Sequence, residues 1–571
     1  MSGSAWMLGA CGMGVGPLAL YLKGDGWEVS GWDDATGSPM ELQLANGEVP
    51  LLRDPWAAGR RPTVVGRSSA VKPGHPALAL AEGHRVRTLR RGELLAEAVA
   101  GRRFVAVCGS HGKTTTCGLL VAALASAGAD FGYVLGGLFR DPTFPPARAS
   151  AASPWVVAEV DESDGTIGAF SPDVTVAVNL DWDHPDYYRD EAALEAVFRA
   201  LFERTRSAVV IPVGNARLER LVVGLKVPVI RVGDEGDYSC RLVQGGHASS
   251  VVALGGRFPA GQFNLPVAGT FNRSNASLAL AVTHFITGGL VAEPLARWRG
   301  IRRRQDVLFE RTGLRVLADY AHHPTEIAAL LQWVRETHAG RLVVVFQPHR
   351  HTRTRQYARE FRDALAVADH ALVLPVYSAG EAAVEGGGGV IQGHHDLAGA
   401  GAGLEGQDDL AVGGLGEGRG GGEQQGGGGG GMKGAHGVRS SCVTYGYGDA
   451  GGACKQFQRR IMSTDPGPSA STRTGSSESV SPSRLDSLST WVSTAMAGSS
   501  NQWPSITLAV LRPTPGSVTS SSMVPGTWPP NRCSTASAMP MSDFAFAWKK
   551  PVGRMSSSSS PMSAAAMSAG V

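Results

Sequence analysis

Short apolar runs punctuate the first 376 residues of the chain, and each ends in glycine or in a cluster of polar side chains. Residues 5–10 (AWMLGA) read as a strand, 9–16 as a tight glycine turn, 17–23 as a helix and 27–31 as a second strand ending at Asp33. A later strand and loop at 64–71 belong to the same first unit, residues 1–100. Residues 104–108 (FVAVC) have the Val and Phe content of a buried strand, and 117–124 (CGLLVAAL) suit a helix. Strands are predicted at 155–160 and 174–180, each running straight into acidic residues. Short Val/Ile strands with Gly-Gly turns follow over 209–263, then a helix over 276–285, which completes a second unit at 101–293. A third unit, 294–386, holds strands at 314–318, 341–346 and 371–376 and helices at 326–336 and 361–368. This alternation predicts an α/β protein of doubly wound units. After residue 386 the alternation stops, and Gly runs (426–431), Ser runs (556–560) and scattered Pro replace it. Such a composition buries too little apolar surface to offset the entropy of ordering, so 387–571 reads as a low-complexity, disordered tail.

Composition narrows the function classes. The chain has 571 residues and a formal charge of +3, which gives no pull toward nucleic acid or membrane surfaces. The seven cysteines are scattered and lack C-x-x-C spacing, as expected of reduced thiols in a cytoplasmic protein. No basic start with an apolar core predicts secretion, and no apolar run approaches membrane-spanning length.

The stretch 109–116, GSHGKTTT, carries the most specific chemistry. It lies between a predicted strand and a predicted helix, the context a phosphate-binding loop needs. Gly109 and Gly112 let the backbone curl around phosphate oxygens, with Ser110, His111 and Thr115 in the same loop. Lys113 would reach the outer phosphates, and the Thr114 hydroxyl would hold Mg²⁺. The general pattern has a further glycine where this chain has Val107, so the loop is a shortened variant. Asp161-Glu162-Ser163-Asp164 and Asp181-Trp182-Asp183-His184 follow predicted strands, where metal ligands belong in such an enzyme. Acid clusters of this kind also cap helices or line solvated loops. Gly9, Gly12, Gly14 and Gly16 with Asp33 suit a nucleotide-binding turn, although any α/β domain can use such a turn. The arginine-dense 297–304 has the look of solvated surface, the usual fate of a charge run, although arginine also suits a bidentate grip on phosphate or carboxylate.

Taken together the motifs resemble those of the Mur ligases, ATP-dependent amide-bond-forming enzymes of peptidoglycan precursor synthesis. The resemblance spans residues 5–386 and rests on GSHGKTTT (109–116), EVDESDG (159–165), NLDWDH (179–184), DYAHHPTE (319–326) and QPHRHTRT (347–354). It implies a Rossmann-like first domain for a UDP-sugar, a central phosphate-loop domain for ATP, and a Rossmann-like third domain for the amino acid. Lys113, Glu162 and His184 would be catalytic, with Mg²⁺ held by Thr114, Glu162 and His184. Asn272 and Asn275 would border the adenine, and Asp319 would take the ribose. Gly9, Gly12, Gly14 and Ser69 would line the sugar-nucleotide site. Arg304, His322, His323, Arg350 and Arg353 would serve the remaining substrate groups, Arg350 and Arg353 by holding the amino-acid carboxylate. The implied partners are UDP-N-acetylmuramate and L-alanine, handled by a monomer or weak homodimer. A tripeptide as the amine, or a truncated nucleotide-binding remnant without activity, are the alternatives. The chain departs from the family at Phe271 and His351, where histidine and tyrosine are usual. The tail stands where the family's third domain continues, so that domain reads as incomplete.

Overall fold

The computed structural model describes residues 3–381, apart from positions 36, 186 and 312, together with 505–511. Three sheets organise these residues. The first contains β1 (Ser4–Leu8), β2 (Glu28–Trp32), β3 (Val64–Arg67) and β4 (Arg87–Arg90), all parallel, in the order β2-β1-β3-β4. The glycine turn after β1 leads into the helix Val15–Gly24, as the apolar pattern predicts. The Asp33 carboxylate accepts the Cys11 amide of this turn at 2.7 Å.

The central sheet has ten strands, β5 (Arg103–Cys108), β6 (Gly132–Val134), β7 (Ala147–Arg148), β8 (Trp155–Glu159), β9 (Val174–Ala177), β10 (Ala208–Pro212), β11 (Val229–Val232), β12 (Tyr238–Gly245), β13 (Ser250–Gly256) and β14 (Gly261–Leu265). Their order is β14-β13-β12-β11-β10-β9-β5-β8-β6-β7. Parallel strands β6, β8, β5, β9, β10 and β11 form its middle, and the β12–β14 meander is the predicted extension. The strands at its centre are apolar on both faces, which suits a sheet covered on both sides. One covering element is the helix Lys113–Ser126, buried along most of its length. The segment expected to open the third unit at residue 294 packs here instead. Leu295, Trp298 and Ile301 are buried in the central core, because their apolar side chains cap the Lys113–Ser126 helix and its neighbours.

The third sheet holds β15 (Asp306–Arg311), β16 (Leu314–Asp319), β17 (Arg341–Phe346), β18 (His370–Val373) and β19 (Ile506–Leu511). Its order is β15-β16-β19-β17-β18. β19 runs antiparallel to both neighbours, pairing Ile506 with Asp319 and Phe346, and Leu511 with Leu314 and Arg341. Ile506, Leu508 and Val510 are fully buried in the core of this domain. The reading of 387–571 as structureless therefore fails at this strand. Its sequence, ITLAVL, is a β-prone apolar run, and the slot between two parallel strands supplies the ladder partners it needs. The remainder of the predicted tail lies outside the described residues.

Candidate active site

Three adjacent strands of the central sheet, β9, β5 and β8, end at one edge and each delivers one polar motif there. The loop after β5 holds Gly109 at φ 132° and Gly112 at φ 79°, backbone states that favour glycine. Reciprocal hydrogen bonds fasten this loop to the motif after β9. His111 N–H donates to Asn179 Oδ1 at 2.8 Å, Asn179 Nδ2 donates to the His111 carbonyl at 3.0 Å, and Ser110 Oγ donates to the Asp181 carbonyl at 2.8 Å. Thr115 is buried in the first turn of the following helix.

Lys113 Nζ lies 3.0 and 2.9 Å from the two Glu162 oxygens and 3.9 Å from Asp161. Burial works against the ammonium, but these carboxylates outweigh it and hold Lys113 above its usual range. The two acids share one cation and diverge. Burial pushes Glu162 up to about 7 against the pull of Lys113. Asp161 is held below the carboxylate range; burial opposes this, and the Lys113 and Arg91 cations overcome it. His184 has the left-handed φ of 59°, unusual for a non-glycine residue and characteristic of functional loops. Burial lowers the pKa of its ring, which keeps it neutral.

Asp161, Glu162 and His184 place one ligand atom each so that all lie within 4.8 Å of one another. His184 Nδ1 is buried and lacks a hydrogen-bond partner. Two hard oxygens and a neutral imidazole, whose Nε2 lies 3.8 Å from Glu162, fit a divalent cation. Sequence reading missed Asp161, although it stands in the quoted acid run. The Thr114 hydroxyl donates to Glu159 Oε2 at 2.8 Å.

The third domain meets this edge. The helix Pro324–Thr337 opens with His323 at its N-cap, Pro324 next and Glu326 closing a capping box, so Glu326 accepts the His323 and His322 amides at 3.2 and 2.9 Å. Glu326 Oε1 lies 3.6 Å from His111 Nδ1 and 3.9 Å from Arg304. His111 Nε2 lies 3.1 Å from Asp181 on its other side. Burial disfavours the His111 cation, yet Asp181 and Glu326 raise its pKa to about 9. Burial lowers His322 to about 3, and His323 and His349 to about 4 each.

Arg353 does not line the cleft. Its guanidinium, 4 % exposed, donates to Asp183 from Nη2 at 2.8 and 3.0 Å and from Nε at 3.1 Å. Tyr357 Oη donates to the Trp182 carbonyl at 2.7 Å beside it. These contacts join the β9 motif to the third domain. Arg350 is the N-cap of the helix His351–Gln356 and also lies off the cleft wall. Asn272 and Asn275 sit in the first turns of the helix Thr270–Thr287 and form an amide chain. Asn275 Nδ2 donates to Asn272 Oδ1 at 3.4 Å, and Asn272 Nδ2 to Gln305 Oε1 at 2.6 Å. Asp319 accepts the Gln305 and Ala321 amides at 2.7 and 2.8 Å.

All three domains line one cleft of about 1300 Å³. Gly9 and Gly12 contribute from the first, Ser110, Lys113, Asp161 and His184 from the central, and Arg304 and His322 from the third. Gly14 is set back as the N-cap of its helix, and Ser69 donates to Asp164 at 2.7 Å, joining first and central domains.

A phosphate loop, an acid pair with buried Glu162 beside cleft-lining Asp161, and a cleft shared by three α/β domains define the class. The chain matches the Mur ligase middle domain over residues 107–283 and the Mur ligase glutamate ligase domain over 303–390. It belongs to the Mur ligase family. It is 39 % identical over 395 residues to a UDP-N-acetylmuramate–L-alanine ligase of Kineococcus radiotolerans, covering 66 % of this chain and 83 % of that protein. A protein of the same name from Thermobifida fusca is 36 % identical over 400 residues, covering 66 % and 84 %. Among solved structures, the UDP-N-acetylmuramate–alanine ligase of Thermotoga maritima superposes with a TM-score of 0.56 at 25 % identity, over 66 % of this chain and 86 % of that one. A murein peptide ligase of Psychrobacter arcticus shares the fold, with a TM-score of 0.53 at 23 % identity over 65 % and 84 %. No helix among the described residues is long and apolar enough to cross a membrane.

Proposed function

We propose that this chain joins L-alanine to the lactyl carboxylate of UDP-N-acetylmuramate with hydrolysis of ATP, through an acyl phosphate. The observation that carries the reading is the juxtaposition of Lys113, Asp161, Glu162 and His184 in a cleft that all three domains line. The similarity to alanine-adding ligases selects the substrates.

A carboxylate is a poor acylating agent. Its oxygen must displace ADP from the γ-phosphorus, and the amine must then displace phosphate from the activated carbonyl. Each step gathers negative charge that the protein has to meet. The amides of 109–114 and the start of the Lys113 helix cradle the phosphates. Lys113, already held cationic by the acid pair, follows charge onto the transferring group. Asp161, Glu162 and His184 would hold Mg²⁺, which when bound neutralises phosphate charge. Neutral His322 on the cleft wall accepts a hydrogen bond from the incoming ammonium. Gly9 and Gly12 leave the backbone open to the sugar nucleotide. The Arg353–Asp183 pair holds the third domain against the central one, so its part is alignment of the two half-sites.

Oxygen-18 transfer tests the reaction path. With the lactyl carboxylate labelled, one label should leave in inorganic phosphate and the amide product should retain the other. Release of unlabelled phosphate alone would mean that ATP is hydrolysed by water and that the acyl phosphate is not formed.

A further inference from the structure

The strand that fills the slot in the third sheet brings more than apolar core to this domain. β19 enters with Ile506 opposite Asp319 and Phe346, so the residue before it stands level with Tyr320 and Gln347, at the strand ends beside the cleft. That residue is Ser505. Its carbonyl accepts the Gln347 amide at 2.8 Å, which fixes the height of the strand. Its side chain is fully buried, and Oγ lies 3.2 Å from His349 Nε2.

His349 is set behind the cleft wall. Its ring packs against those of Tyr377, Tyr320 and His322 at centroid distances of 5.1, 5.7 and 5.8 Å. Those three residues line the cleft, whereas His349, 8 % exposed, does not. The two tyrosines meet the imidazole edge-on, and His322 lies within 30° of parallel to it. The torsion that turns a histidine ring is broad, so packing alone selects its orientation poorly. The bond to Ser505 selects it here, and a turn of His349 would disturb all three cleft-facing rings.

The consequence falls on His322. Its Nδ1 lies 2.8 Å from the Tyr320 carbonyl, an acceptor only, so the neutral ring carries its hydrogen there and keeps a lone pair on Nε2. This is the ring that would accept a hydrogen bond from the incoming ammonium. Lys113, Asp161 and His184 follow strands of the central sheet, so the phosphoryl-transfer groups stand apart from the Ser505 contact.

We propose that Ser505 is a positioning residue for the amine step: its hydroxyl holds the His349 ring, which backs His322, Tyr320 and Tyr377 where the amine enters. The inference rests on the reading of the reaction given above. It gives a segment far beyond β18 in the chain a part in ligation as well as in folding.

The test is steady-state ligation by the full-length protein carrying Ser505→Ala, which removes the hydroxyl and keeps the backbone bonds of the strand. The L-alanine KM should rise roughly tenfold, the scale of a lost hydrogen bond that leaves a buried partner unpaired. KM for ATP and for UDP-N-acetylmuramate should stay within about twofold of the parent. ADP formed in a single turnover without L-alanine, which reports phosphorylation alone, should be unchanged. His349→Gln should give the same selective loss, and adding Ser505→Ala to it should cost nothing further, because the serine acts through that ring. His349→Gln reads the contact from its other side, so a folding failure of Ser505→Ala leaves the test standing. An unchanged L-alanine KM would overturn the proposal, as would additive losses in the double variant. A parallel rise in all three constants would overturn it too, since that marks a misplaced strand. A parent protein whose phosphate release ignores L-alanine would defeat the reading of the reaction, and this proposal with it.

Discussion

The phosphate loop and the third-domain sheet both present polar residues at strand ends, yet the chain builds them differently. Around the loop, strand, turn and helix are contiguous from Arg103 to Ser126, and the flanking motifs follow strands β8 and β9 that pair directly with β5. In the third sheet, β16 and β17 deliver Asp319 and His349 but do not touch each other. The slot between them is filled by β19, from far beyond β18. That strand also reaches the site edge, where Ser505 shares a hydrogen bond with His349 at 3.2 Å. Local contiguity makes the first region independent of the distant chain. The second owes its core to one remote apolar run.

Replacing Lys113 with Ala breaks the local region at its centre. Turnover should fall by roughly 10³-fold while the fold persists, because the loss is of charge aimed at the transferring phosphoryl group. Steady-state phosphate release with circular dichroism checks both halves of that statement. Arg353→Ala cuts the contact between the regions. It leaves Asp183 buried and unpaired, so the docked arrangement should lose about 3–5 kcal/mol, read in denaturant unfolding, and kcat and KM should change together. An amino-acid KM raised alone would instead place Arg353 at the substrate. Leu508→Ala hollows the remote strand. It should cost about 2–5 kcal/mol in the third-domain transition while ATP binding by the central domain survives. Equal loss in both regions would erase the contrast.

The mildest test uses pH. His111 bridges the regions and its folded pKa, about 9, lies above its ordinary value of 6.5. A raised pKa adds stability that is complete below the unfolded value and is lost as pH rises through the folded one. Domain docking should therefore weaken between about pH 6.5 and 9, and His111→Gln should flatten that slope in a series of thermal melts.

The same contrast decides what could be read from the chain alone. GSHGKTTT and the acid-bearing strand ends announce their partners, because strand, glycine and helix signals lie within a few residues of one another. Asp161 hid inside a run whose Glu162 was the more obvious ligand. Arg353 suited a free carboxylate as well as Asp183, and spacing along the chain carries no sign of a pairing between residues so far apart. ITLAVL had the apolar signal of a strand, but its Gly- and Ser-rich surroundings masked it. No local rule joins it to β16 and β17.

The most direct test of the central claim is phosphate release by the purified full-length protein with ATP, Mg²⁺ and UDP-N-acetylmuramate, with and without L-alanine. Release should depend on L-alanine, be absent in Lys113→Ala, and match the amide product mole for mole. Release that ignores L-alanine, or that requires a peptide amine instead, would contradict the assignment.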